Sequence, residues 1–159
     1  MSWDVVNLYG YCMSFKLPCG NFRFIDEPDK SDFQTLDLNG EKGYLLEVDL
    51  SYPPELHDAH SNLSLAPEHT TVSQQMLSEY NSADHLFRGQ TCLVPNLHDK
   101  SRYILPVRNL KLYTDLGIKV DRIDKVLEVD QKAFLAPYIA FNTEKCRIAR
   151  SSFEKDFSN

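Results

Sequence analysis

Long apolar runs are missing from this 159-residue chain. The longest extend over only four or five residues, whereas a membrane-spanning helix takes about 20, so no segment is expected to cross a bilayer. The N-terminus has no basic flank followed by an apolar stretch, so no secretory signal is expected and the chain reads as intracellular. Paired cysteines are missing too. Cys12, Cys19, Cys92 and Cys146 are widely spaced with no C-x-x-C pair, and in a reducing compartment they read as free thiols. His57 and His60 have a spacing seen at metal sites, but no cysteine or third histidine stands at a usual interval, which argues against zinc. Asn62-Leu63-Ser64 matches a glycosylation acceptor, without meaning in a chain that is not secreted. There is no internal repeat and no low-complexity tract. Net positive charge is lacking as well: the balance is −6, which argues against a free-standing nucleic-acid binder.

What is present is a soluble composition, 42% hydrophobic and 25% charged, in a chain long enough for one domain with a core. A domain of this size buries roughly two-thirds of its unfolded surface. The charge is split along the chain. Residues 1–99 carry 5 Lys/Arg against 15 Asp/Glu, while residues 100–159 carry 12 against 8. Such asymmetry fits either a polyanion contact in the basic part or a solvated charged helix.

Along the chain, residues 3–13 read as a strand running into a turn or short helix, closed by Pro18 and Gly20. Residues 22–25 alternate and are aromatic, a second strand. Residues 26–32 form a polar loop containing Pro28. Residues 43–50 are the clearest strand, with Tyr44, Leu46, Val48 and Leu50 on one face and Pro53-Pro54 as the stop. Residues 55–90 are rich in His, Ser and Asn; a short helix is expected over 71–80, capped by Thr71 or Ser73, with loop elsewhere. Order resumes at Lys100. Leu110, Leu112, Tyr113 and Leu116 have helical spacing, and Gly117 stands where a helix C-terminus wants glycine. A strand follows over about 118–128. From Phe134 to Phe157 the pattern is one long helix, or two broken near Asn142, with apolar residues at 138, 139, 141, 146, 148, 149, 153 and 157. The fold class is α/β (α+β), with antiparallel strands over 3–9, 22–25, 43–50 and 118–128 and a loop-rich middle.

The order of these segments resembles a known family. Asp4-Val5-Val6-Asn7-Leu8-Tyr9-Gly10, then Met13-Ser14, then Leu17-Pro18-Cys19-Gly20, is similar to the first palm motif of family-B DNA polymerases. The resemblance is to the protein-primed branch of phages, linear plasmids, viruses and Maverick-type mobile elements. It extends through GYLLEVDLSYPPELHDAHSNLSLAPE, LVPNLHDKSRYILPVRNLKLYTDLGIKV and LAPYIAFNTEKCRIARSSFEKDF, in the family's order and over nearly the whole chain.

The resemblance implies a partial polymerase: residues 1–25 carrying the palm motif, 26–105 an insertion that touches template and priming protein, and 106–159 the palm return and the start of the fingers. Nucleotidyl transfer needs carboxylates holding two divalent ions about 3.5–4 Å apart. Mg²⁺ prefers oxygen ligands, and the resemblance makes Asp4 the catalytic metal ligand, with the Val5 carbonyl beside it. Tyr9 is implied to lie under the incoming sugar, where its ring excludes a 2′-hydroxyl. Arg147 and Lys155, eight residues apart, match two basic positions that face the triphosphate on the fingers helix. A third basic residue is expected at 159, where this chain has Asn159. Asp49 and Tyr52 are three apart rather than five and read as structural; Tyr113-Thr114-Asp115 lacks the Thr-Asp that the third palm motif would place next. The expected partners are a DNA primer-template, a deoxynucleoside triphosphate and a terminal priming protein, with no membrane. One metal-binding carboxylate cannot hold two ions, so the chain is expected to be a fragment that is inactive alone. The alternative is a non-catalytic interaction module or relic of such an element.

Overall fold

The computed structural model describes residues 7–25, 32–79 and 89–148, which form the expected mixture of helices and antiparallel sheets. In chain order these are α1 (Leu8–Met13), β1 (Leu17–Ile25), α2 (Asp32–Thr35), β2 (Lys42–Ser51), α3 (His57–His60), β3 (Glu68–Thr71), β4 (Thr91–Val94), β5 (Lys100–Pro106), α4 (Val107–Asp115), β6 (Lys119–Lys132) and α5 (Ala136–Ile148). Short 3-10 turns lie at Pro54–Leu56 and Gln74–Met76. One sheet has the strand order β1-β6-β2-β5, and β3 and β4 form a separate hairpin. The chain divides into two compact units, Met1–Leu46 with Lys125–Asn159, and Glu47–Asp124.

In the first unit β1 pairs antiparallel with β6, from Leu17↔Lys132 to Ile25↔Val126, with register shifts on either side of Gly20. Residues 17–21, read from sequence as the close of a turn, are therefore strand. Pro18 is tolerated because β1 is an edge strand whose ladder is already irregular there. Charges bridge the strands: Arg23 meets Glu128 at 3.0 Å and Lys42 meets Asp130 at 2.6 Å. Tyr44 donates its hydroxyl to Glu128. Phe33, Leu46, Val126 and Val129 are buried. Gly43 lies where the strands run close, since a Cβ there would stand 2.9 Å from Gln131 Oε1 and 3.2 Å from Val129 Cγ2, and Gln131 would have to shift.

In the second unit Val48, Leu50, Leu105, Val107, Leu110 and Ile118 are buried. Helix α4 starts at Val107, three residues before the first residue of its apolar pattern, Leu110, and ends as expected. Gly117 has φ +99°, its N–H reaches the Thr114 carbonyl at 3.0 Å, and the Ile118 N–H reaches that of Tyr113 at 3.0 Å. This is a Schellman stop, in which the left-handed residue turns two orphan carbonyls back onto the chain. Tyr113-Thr114-Asp115 occupies the last turn of α4.

Three expectations are corrected. The helix expected over 71–80 is absent from its described part: Thr71 is the last residue of β3 and pairs with Thr91, and only the turn Gln74–Met76 follows. β-branched Thr70 and Thr71 suit a pleated hairpin better than a helix start. Of the strand expected over 3–9, residues 3–6 lie outside the described residues, and Leu8 and Tyr9 are helix, because Asn7 caps it. Helix α5 points its half-buried side through Ile139, Asn142 and Cys146; Tyr138, Phe141 and Ile148 stay exposed. Spacing alone did not separate these two neighbouring stripes. The expected continuation of α5 to 157 lies outside the described residues.

Candidate functional site

The local chemistry of Asn7-Leu8-Tyr9-Gly10 explains how Tyr9 is presented. Asn7 adopts the left-handed conformation, φ 55°, which asparagine tolerates better than most residues. Its side-chain oxygen accepts the Gly10 N–H at 3.1 Å, and its carbonyl accepts the Tyr11 N–H at 3.0 Å. Any Cβ on Gly10 would meet the Asn7 amide at 2.5 Å, so the cap needs glycine there. Gly10 is buried while Tyr9, one residue before it, is 85% exposed. The cap fixes the backbone of this turn, and Tyr9 stands on its solvent side. Tyr11 and Phe15 stack edge to face on the same segment, with ring centres 4.9 Å apart.

Helix α1 packs beside α5, so the elements bearing Tyr9 and Arg147 are neighbours. Arg147, in the last turn of α5, is engaged by its own helix: Nε and Nη2 each donate to a Glu144 carboxylate oxygen at 2.8 Å. The forked geometry holds the Glu144 carboxyl below its ordinary value and raises the Arg147 guanidinium further. Lys145 lies 5.2 Å from the centre of the Phe141 ring. A phosphate approaching Arg147 therefore competes with Glu144, a partner that sequence reading passed over although the i, i+3 spacing signals it.

Asp4, Val5, Lys155 and Asn159 lie outside the described residues. Among the described residues no group of three or more His, Cys, Asp or Glu side chains is placed to hold a metal ion.

In the second unit, both histidines of the pair considered for zinc serve Tyr52. His60 Nδ1 lies 2.7 Å from the Tyr52 hydroxyl and His57 Nε2 lies 3.4 Å from its carbonyl oxygen, with both imidazoles edge-on to its ring. Asp49 has structural work of the kind its sequence context indicates. It accepts the Arg102 backbone N–H at 2.7 Å and pairs with Arg122 at 3.0 Å. The Arg102 N–H, followed by the Arg122 charge, lowers its carboxyl, with burial opposing. Arg102 itself has φ 52°, a conformation unusual for a non-glycine residue, held by Asp49 at the backbone and Glu47 at the side chain.

No family model, curated protein or solved structure matches the chain.

Proposed function

We propose that this chain is a palm-and-fingers segment of a protein-primed, family-B DNA polymerase, a DNA-directed nucleotidyltransferase. The ordered series of motifs carries the family. The observation that supports it best is the exposure of Tyr9 on a helix, opened by the Asn7 cap, that packs beside the one bearing Arg147. A ring so placed offers a flat surface for an incoming deoxyribose, against which a 2′-hydroxyl would be crowded. Arg147 would release Glu144 to take a triphosphate oxygen, its planar fork matching phosphate as it matches carboxylate. The partners proposed for the complete enzyme are a DNA primer-template, a deoxynucleoside triphosphate, a priming protein and Mg²⁺. Asp4, with the Val5 carbonyl, is one proposed contribution to the metal site; a single carboxylate does not fit a two-ion site.

The test is titration of the chain with dATP and ATP, followed by the NMR signals of α1 and α5. The expected result is tighter binding of dATP, by about tenfold if one good contact discriminates. Tyr9→Ala should remove the preference, and Arg147→Gln should weaken both ligands. Equal affinity for the two nucleotides in the parent chain, or binding indifferent to Arg147, would refute the reading.

A second reading is an interaction module without catalysis. It is favoured by the exposed apolar side chains of the first unit, among them Phe22, Phe24, Tyr138, Phe141 and Ile148. A chain that ignores both nucleotides yet captures a priming protein would support it.

A further inference from the structure

The second unit contains an open cleft of about 660 Å³ that the polymerase reading does not use. Its floor is rigid. Tyr52 and Pro53 are buried, Pro54 continues the platform, and the Tyr52 backbone N–H is tied to Asp99 Oδ1 at 2.7 Å. Around this floor stand groups whose hydrogen-bonding capacity is not consumed. The side chains of Lys119 and Glu55 line the cleft and make no hydrogen bond or ion pair among the described residues. His98 also lines it, with no hydrogen bond from its imidazole. His57 contributes a ring already fixed edge-on to Tyr52.

These groups ask for three things in one ligand: a flat ring to lie on proline and imidazole, an anion for Lys119 and His98, and a donor for Glu55. We infer that the cleft binds a nucleoside phosphate whose base carries an exocyclic amino group. Phosphate takes the Lys119 ammonium as a point charge. The ring uses the apolar floor, as bases do on flat side chains. A carboxylate accepts from the exocyclic amino group of cytosine, whereas thymine offers only its ring N3–H, flanked by two carbonyl oxygens that repel a carboxylate. The volume is ample for one nucleotide, since ligand pockets run about 300–1,000 Å³. The same chemistry is offered by a free nucleotide and by one residue of a single strand. The inference goes beyond the polymerase reading and stands on the second unit alone.

The experiment titrates the whole chain with dCMP, dTMP and fluorescent single strands of dC and dT, read by NMR shifts and by anisotropy. Parent and variants are first matched by circular dichroism; Lys119 and Glu55 are exposed, so both are expected to fold. Cytosine probes should bind about tenfold tighter than thymine probes, the scale set by one good hydrogen bond to a charged acceptor. Glu55→Gln should erase that preference. Lys119→Gln should weaken every probe by about tenfold. A dC strand that binds like dCMP identifies the free nucleotide as ligand, and a strand that binds far tighter identifies single-stranded nucleic acid. No binding by any probe, or binding that Lys119→Gln leaves unchanged, overturns the inference. Arg147→Gln separates the two proposals. Binding lost in Arg147→Gln alone supports the polymerase site and refutes the cleft. Binding lost in Lys119→Gln alone sustains the cleft, and the polymerase reading is then decided by the dATP and ATP titration, whose triphosphates these probes lack.

Discussion

Lys100 is the one buried charged residue among those described, and cutting its partner should cost the second unit heavily. Its side chain is 1% exposed and its ammonium stands 2.9 Å from Glu68 Oε2, with the Asn96 side-chain oxygen as a further acceptor. Glu68 opens β3, so this pair ties the β3–β4 hairpin to the start of β5. At 2.9 Å two unit charges attract by about 6 kcal/mol at an effective dielectric constant of 20, an upper bound before desolvation is subtracted. Breaking a fully buried pair typically costs about 3–5 kcal/mol, because the remaining charge is stranded. Glu68 is 36% exposed, and Asn96 stays behind to accept from Lys100, so about 2–3 kcal/mol is expected for Glu68→Ala. That corresponds to a fall in Tm of roughly 5–10 °C. Lys100→Met should cost less, about 1 kcal/mol, since the thioether chain occupies the same space and Glu68 turns to water. Burial raises the Glu68 carboxyl, but hydrogen bonds from Asn96 and Lys100 outweigh it and leave the group below its ordinary value of 4.5. A depressed carboxyl stabilises the fold above that ordinary value and loses the contribution as pH falls through the folded value. The gap between parent and Glu68→Gln should therefore be full at neutral pH and close in acid. Thermal denaturation across pH checks both points. If Lys100→Met proves as damaging as Glu68→Ala, or the gap persists in acid, the argument from a stranded charge is wrong.

Gly117→Ala should lower stability by about 1–2 kcal/mol in denaturant titration, because φ is +99° and the new Cβ would approach Leu56 Cδ1 to 3.0 Å. Leu110→Ala removes a side chain with no exposed surface and should cost about 2–5 kcal/mol in the same measurement. Gly10→Ala should displace the Asn7 cap and cost about 1 kcal/mol, seen as loss of slow hydrogen exchange at the Gly10 and Tyr11 amides of α1.

Much of this fold is legible in the chain itself, for local reasons. Strand β2 is found within one residue at each end because alternating Tyr44, Leu46, Val48 and Leu50 run into Pro53-Pro54. The α4 stop is legible because Gly117 alone meets the left-handed requirement after a helical apolar pattern. Motif order, too, is a property of sequence, and it carries the proposed function. Tertiary structure decided what local pattern leaves degenerate. Thr71 joins a hairpin because Thr91, twenty residues on, completes its ladder. Pro18 lies within a strand because β1 is at an edge. On α5, two apolar stripes compete in the sequence, and packing half-buries only the one through Ile139 and Cys146. Glu144 meets Arg147 through local spacing, whereas Lys100 meets Glu68 across 32 residues of chain. The cleft in the second unit is of that latter kind. Glu55, His98 and Lys119 come from three separate segments, and no spacing rule relates side chains that only the closed chain brings to one wall.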